Sequence, residues 1–211
     1  MHSKTIFILS FSIISINAFS QSAFKQFIKL TRPEKWWVMT HPFVAKKAYR
    51  ISEYATLSAD SLTKDTLLDG DPSGGQVDAF RHCFWMSMLT QTIGWRRAKK
   101  LGNAHEKGDY LDWKKHRNEE GILPDKVSSD MDFVNNDTGI QLGLDFPETP
   151  RDSLKFIIIQ KIKDGELIII KKDHFGNCLD CNGNIIDLKK YYGLWEIPKC
   201  LVPSNATITN Y

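Results

Sequence analysis

The sequence predicts a mainly α protein, with a helical core of four to six helices and a small β-hairpin region at its C-terminal end. Three observations predict it. Apolar residues recur at helical spacing from Phe43 onward, and glycines and prolines cut that pattern into helix-length pieces. Only the stretch after residue 165 turns to β-branched runs flanked by Gly-Asn and Asn-Gly turn signals.

The chain divides into three parts, with a signal peptide over residues 1–20. Met1-His2-Ser3-Lys4 is a short basic start, Thr5 to Phe19 is apolar and uncharged, and Ala18 and Ser20 are small residues at the −3 and −1 positions of a cut before Gln21. The apolar run falls short of the roughly 20 residues of a spanning helix. With no cysteine at the cut, a lipoprotein anchor is not expected, and no second apolar run is long enough to span. The mature chain is therefore expected to be exported, periplasmic or secreted, with no transmembrane segment.

Residues 21–165 form the expected helical domain. Pro33 and Pro42 argue against one continuous helix through the aromatic, basic entrance that holds Trp36-Trp37. From Phe43 to Ala59, Val44, Ala48, Ile51 and Tyr54-Ala55 define an amphipathic helix. Asp69 to Gly75 is a turn-rich loop. A second helix is predicted from Gln76 to Ile93, broken at Gly94, and a third from Trp95 to about Glu106, ending near Gly108. Asp109 to Asp125 reads as a loop or short helix. Ser128-Ser129-Asp130 offers cap oxygens for a fourth helix reaching Leu142. Pro147 and Pro150 break the chain, and Arg151 to Asp164 is a further helix, stopped by Gly165. Residues 166–211 are read as a β-rich extension in which Leu167 to Ile170 starts a strand. No internal repeat is apparent.

Composition narrows the function classes. The formal charge of +3 falls to +2 when Lys4 leaves with the leader, which gives no basic face for nucleic acid. Local runs such as Lys114-Lys115-His116-Arg117 read as solvated helix faces.

Three helices carry polar residues at core-facing positions. The second gives Asp78, Arg81 and His82, and the i, i+4 spacing puts Asp78 and His82 on one face. The third gives His105 and Glu106. The fourth gives Asp132, Asn135, Asn136 and Gly139, an i, i+3, i+4, i+7 stripe across an otherwise apolar helix. Burying such a stripe is costly without partners. One reading is a metal site with His82, His105 and Asp132 as ligands to one divalent ion, zinc being the best fit. Asp78 then orients His82, Glu106 acts as general base on a bound water, and Arg81 or the amides of Asn135 and Asn136 stabilise an oxyanion. The alternative is a structural hydrogen-bond network.

The runs GGQVDAFRHCFWMSML, LGNAHEKGDY and SSDMDFVNNDTG resemble an uncharacterised bacterial domain family marked by Arg-His-x-x-Trp, His-Glu and Met-Asp-x-x-Asn-Asn. Exported Bacteroidetes members share an entrance similar to EKWWVMTHPFVAKKA, and the likeness covers roughly Pro33 to Gly143. It implies that His82, His105, Glu106, Asp132, Asn135 and Asn136 belong together, and implies no activity. Cys83 stands where the family pattern has a small residue such as Ala. The Arg-His pair is also similar to that of bacterial phospholipases A2, but Cys83 follows His82 and no calcium loop matches.

Cys83 sits in an apolar helix and reads as a buried thiol. Among Cys178, Cys181 and Cys200 a disulfide with Cys200 at one end is expected in an oxidising compartment. His174 with the three cysteines as a zinc site is the alternative. The functional readings are thus an exported metal-dependent hydrolase acting on an extracytoplasmic substrate, a non-catalytic envelope or binding protein, and a secreted toxin or effector domain.

Overall fold

A computed structural model describes residues 25–115 and 123–206. The leader, the proposed start at Gln21 and the pair His116-Arg117 lie outside the described residues. The fold is mainly α, with seven α-helices among the described residues: α1 (residues 25–29), α2 (Arg32–Thr40), α3 (Pro42–Leu62), α4 (Gln76–Ile93), α5 (Trp95–Lys114), α6 (Lys126–Asp145) and α7 (Arg151–Lys163). Two short strands, β1 (Ile168–Ile170) and β2 (Leu201–Pro203), complete it. The two prolines act as expected: Pro33 lies in the first turn of α2, and Pro42 opens α3. At these positions the missing N–H costs nothing.

Helix α4 is the axis of the molecule, packed by α3, α5, α6 and α7. Its apolar residues therefore face all round, and Val77, Phe80, Cys83, Phe84 and Leu89 are completely buried. Gly94 ends it with φ 84°, a conformation open to glycine at no steric cost. Against it lies α6 at very short range. A methyl group on Gly139 would stand 2.3 Å from the Cys83 carbonyl oxygen, and one on Gly143 would stand 2.6 Å from that of Ser87. The Ser87 hydroxyl closes the crossing by donating to the carbonyls of Cys83 (2.8 Å) and Gly139 (2.9 Å).

Some expected boundaries move, each for a local reason. Helix α5 continues through Gly108 to Lys114; Gly108 is not a terminator but the place where the Thr31 side chain would meet a Cβ at 2.6 Å. The cap of α6 is Asp125, whose carboxylate accepts from Val127 N and Ser128 N, so the helix starts before Ser128. It also runs past Leu142 to Asp145.

In the C-terminal region the expected turns close two local antiparallel bridges, Lys172 with Cys178 and Leu179 with Ile185, but the named strands pair over a longer range. Strand β1 pairs antiparallel with the distant β2, Ile169 opposite Val202. Between them sit two loops of one design. Asp173 accepts from the backbone N–H of Phe175 (2.9 Å) and Asn177 (2.8 Å) and from the Asn177 amide (2.9 Å). Seven residues on, Asp180 repeats this with Asn182 (2.9 Å), Asn184 (2.8 Å) and the Asn184 amide (3.0 Å). Gly176 and Gly183 supply the positive φ in each. A short internal repeat is present after all. The disulfide is Cys181–Cys200, while Cys178 is a buried free thiol, so the zinc alternative loses two of its ligands. Met131 of α6 packs with Ile170, Cys178 and Ile186, which joins this region to the helical body.

The α4–α6 crossing makes one clear forecast. Gly139→Ala forces backbone apart and should destabilise the protein by about 1–3 kcal/mol or more, by the usual cost of overpacking. Thermal or urea unfolding of G139A measures it; an unchanged midpoint would mean that the helices do not approach this closely.

Candidate metal centre

The first turns of α4 set Asp78, Arg81 and His82 beside α6. Asp78 Oδ2 accepts from Gly74 N at 2.6 Å, and Asp78 Oδ1 accepts from Arg81 Nη2 at 2.8 Å. His82 is held from its other side. Its Nδ1 lies 3.3 Å from Asn136 Oδ1, and Asn136 Nδ2 donates to Glu106 Oε1 at 3.2 Å. Because the amide nitrogen must face the carboxylate, the amide oxygen faces His82. The network thus assigns the imidazole proton to Nδ1, leaving a lone pair on Nε2. Burial pushes the His82 pKa well below its ordinary value, the positive charges of Arg81 and His105 add to this, and the Asn136 bond offsets only part of it.

The Nε2 lone pair accepts from Arg81 Nη2 and lies beside a carboxylate pair. Nε2 is 3.3 Å from Asp132 Oδ1, 3.6 Å from Asp78 Oδ1 and 3.3 Å from Arg81 Nη2. Asp132 Oδ1 is buried and receives no hydrogen bond among the described residues. Its nearest imidazole nitrogen carries no proton, so proximity brings it no donor. Burial, then the charges of Asp78 and Glu106, push the Asp132 carboxyl well above its usual range, with Arg81 and His105 opposing. One ligand atom from each of Asp78, His82 and Asp132 falls within 4.8 Å of the others, so this group can hold a metal ion. Zinc bonds of about 2.1 Å at tetrahedral angles separate neighbouring ligand atoms by about 3.4 Å. The observed spacings of 3.3 and 3.6 Å straddle that value.

His105 and Glu106 form a second group, with Asp109 one helical turn further along α5, and this group too can hold an ion. His105 Nδ1 meets Glu34 Oε1 at 3.0 Å, while Glu34 Oε2 accepts from Thr31 N and Thr31 Oγ1. Burial raises the Glu34 pKa, but the hydrogen bond and charge of His105 and the two Thr31 bonds outweigh it and hold it at about 2. The rings of His82 and His105 lie 6.2 Å apart. Glu106, 2% exposed, accepts from Ser129 Oγ at 3.0 Å as well as from Asn136.

Of the residues singled out in the sequence, the structure thus brings His82 and Asp132 together, with Asp78 rather than His105 as the third side chain of the group that could hold an ion. Asn136 lies inside the network. Asn135 faces elsewhere: its amide donates to Ile168 O at 2.9 Å and its oxygen accepts from Ile168 N at 3.1 Å, pinning β1. Arg81 lines two spaces at once. One is a mostly apolar cavity of about 290 Å³ that also touches Glu34, His82 and His105; the other is a polar cleft of about 80 Å³ beside Asp78, Asp109, Ser129 and Asp132. Sequence reasoning missed Glu34, Ser129 and Asp109. Glu34 carries a signal, standing at the head of the EKWW entrance, whereas Ser129 in the sequence signals only a cap oxygen.

These features define a mainly α protein with an ionisable cluster buried between three of its helices. The family described as Domain of unknown function (DUF6973) matches residues 35–166, and the chain belongs to it. The matched span takes in α4, α5 and α6 and so the whole cluster except Glu34. No curated protein and no solved structure matches the chain.

The Glu34–His105 pair has a measurable consequence. A carboxylate whose folded pKa is about 2, below its ordinary 4.5, contributes stability that is complete above pH 4.5 and is lost as pH falls towards 2. Glu34→Gln should therefore flatten the acid limb of a stability-against-pH curve across that window, measured by urea unfolding at pH 5 and pH 3. Parallel limbs for E34Q and the parent chain would contradict the assignment.

Proposed function

We propose that the protein is an exported, metal-dependent hydrolase whose divalent ion is held by Asp78, His82 and Asp132. The leader-like residues 1–20 support export, and the site then meets its metal and substrate in the periplasm or beyond. The observation that carries the metal reading is the buried, unpartnered Asp132 Oδ1 beside the His82 lone pair. Buried polar atoms are nearly always satisfied, and a cation would answer Asp132 Oδ1 while taking the His82 Nε2 lone pair that otherwise accepts from Arg81 Nη2. A histidine-and-carboxylate set at this spacing suits zinc best. Zinc in such a set lowers the pKa of a bound water and polarises a carbonyl.

The chain's own groups take supporting roles. Asn136 orients His82 and is itself anchored by Glu106, the arrangement that fixes a ligating histidine's tautomer. Arg81, 28% exposed and open to both cavities, is placed to stabilise developing negative charge. Proton transfer falls to Glu106 or to His105, the latter backed by Glu34 and lining the apolar cavity. Asn135, fully engaged with β1, is assigned an anchoring role and not an oxyanion contact.

A second reading, a non-catalytic binding or envelope protein with a structural polar core, is favoured by one observation. Glu106, Asn135 and Asn136 all find partners within the fold. The two readings separate on metal. Zinc at about 100 times its Kd should stabilise the parent chain by about 2.7 kcal/mol. Asp132→Asn should abolish that shift while leaving the apo protein as stable or more so, because it removes a strained buried carboxyl. Metal analysis of chelator-free protein and melting with Zn²⁺, Mn²⁺ or Ca²⁺ are the measurements. No bound metal and no shift with any of the three would leave the structural reading standing.

A further inference from the structure

The cavity beside the site has two unlike ends. Glu34, Arg81, His82 and His105 meet at one end. The remaining wall is made chiefly by Ala45, Ala48 and Ala55 of α3, with Trp37, Trp85 and Leu101. The space exists because α3 presents small residues there; a larger aliphatic residue at position 48 would fill it. The inner wall offers few free polar groups. Of the three hydroxyls that α3 brings to the cavity, Ser52 donates to Ala48 O (3.1 Å) and accepts from Trp85 Nε1 (2.8 Å), Tyr49 donates to Glu53, and Thr56 stands on an exposed position of the helix. A sugar or a polar peptide side chain placed against this wall would lose its water without gaining partners. An alkyl chain would lose nothing and gain burial.

Size limits the occupant further. About 290 Å³ stands at the low end of ligand pockets, which run from roughly 300 Å³ upward. That is room for a single short arm and not for a whole two-chain lipid. Tyr49 and Thr56 are exposed where they line it, which gives the arm a way in from solvent.

We propose that the substrate is an amphiphile, with a medium-chain acyl arm in this cavity and a polar, carbonyl-bearing head at Arg81, His82 and His105. This rests on the hydrolase reading for what happens to the head; the binding of the arm is independent of it. The acyl chain ends at the carbonyl that would be cleaved, so the carboxylate of the released acid is the natural probe of both ends.

The test is calorimetric titration with octanoate, acetate and phenylacetate, with and without zinc. Octanoate should bind more than about tenfold tighter than acetate, since each buried methylene is worth roughly fourfold. Ala48→Leu should erase that preference with zinc binding unchanged. Ala45→Phe is the second variant should A48L fail to melt cooperatively. Equal binding of octanoate and acetate overturns the proposal, as does tighter binding of phenylacetate, which would make the arm aromatic. Retention of the preference in both folded variants overturns it too. An octanoate preference in a protein that takes up no zinc upholds the cavity assignment and sinks the hydrolase reading alone.

Discussion

One side chain holds the centre of this protein together. Asn136 stands between His82 and Glu106, and its amide can satisfy both only in one orientation. That orientation sets the imidazole tautomer, fixes the register of α6 against α4 and α5, and directs a lone pair at Asp132. Loss of such a bridge leaves buried partners unsatisfied, at about 1–3 kcal/mol for each neutral group and more for a charge. The close crossing allowed by Gly139 and Gly143 is what brings the amide within reach. Packing and polar wiring are one constraint here, because a helix held further out would break the bridge.

The same turn of α6 carries the constraint outward. Asn135, next along the chain, binds both backbone groups of Ile168, and Met131 packs with Ile170 and Ile186. The strand region is thereby tied to the helix that carries the site. This explains an inversion in α6. Asp132, Asn135 and Asn136 face inward while Phe133 and Val134 are 42% and 46% exposed. A helix built for stability alone would be turned the other way, so its polar face must be satisfied by specific partners.

What the sequence made legible was what is local or periodic. Gly94, Gly165 and Pro42 punctuate helices through their own backbone preferences, and the Asp132–Asn135–Asn136–Gly139 stripe follows from helical spacing. Contacts across long separations were not legible. The grouping of Asp78 with Asp132 depends on the exact approach of α6 to α4. The partner of His105 is Glu34, on a helix whose position against α5 depends on Thr31 fitting at Gly108. The Gly-Asn and Asn-Gly signals mark the two local pairings, Lys172 with Cys178 and Leu179 with Ile185, but not the partner of β1, because β2 comes from beyond both loops. The Asp173 and Asp180 loops escaped notice because only the Asp, the Gly and the Asn of each recur.

The charge balance around His82 argues for how the site would behave. Asp78, Glu106 and Asp132 lie close together, and among the described residues Arg81 and then His105 are the positive charges that oppose them at Asp132. Burial and those two neighbouring carboxylates push the Asp132 carboxyl well above its usual range, so a proton there, donated to the His82 Nε2 lone pair 3.3 Å away, competes with a cation for the same place. Proton and cation are then alternatives for one position, so uptake of a divalent ion would release the Asp132 proton and bind more strongly as pH rises. His82 takes no part in that exchange, since it is already neutral and already points its lone pair at the site. One group titrates and one stays neutral, and uptake of an ion is what would tell this cluster from a network that only holds helices together.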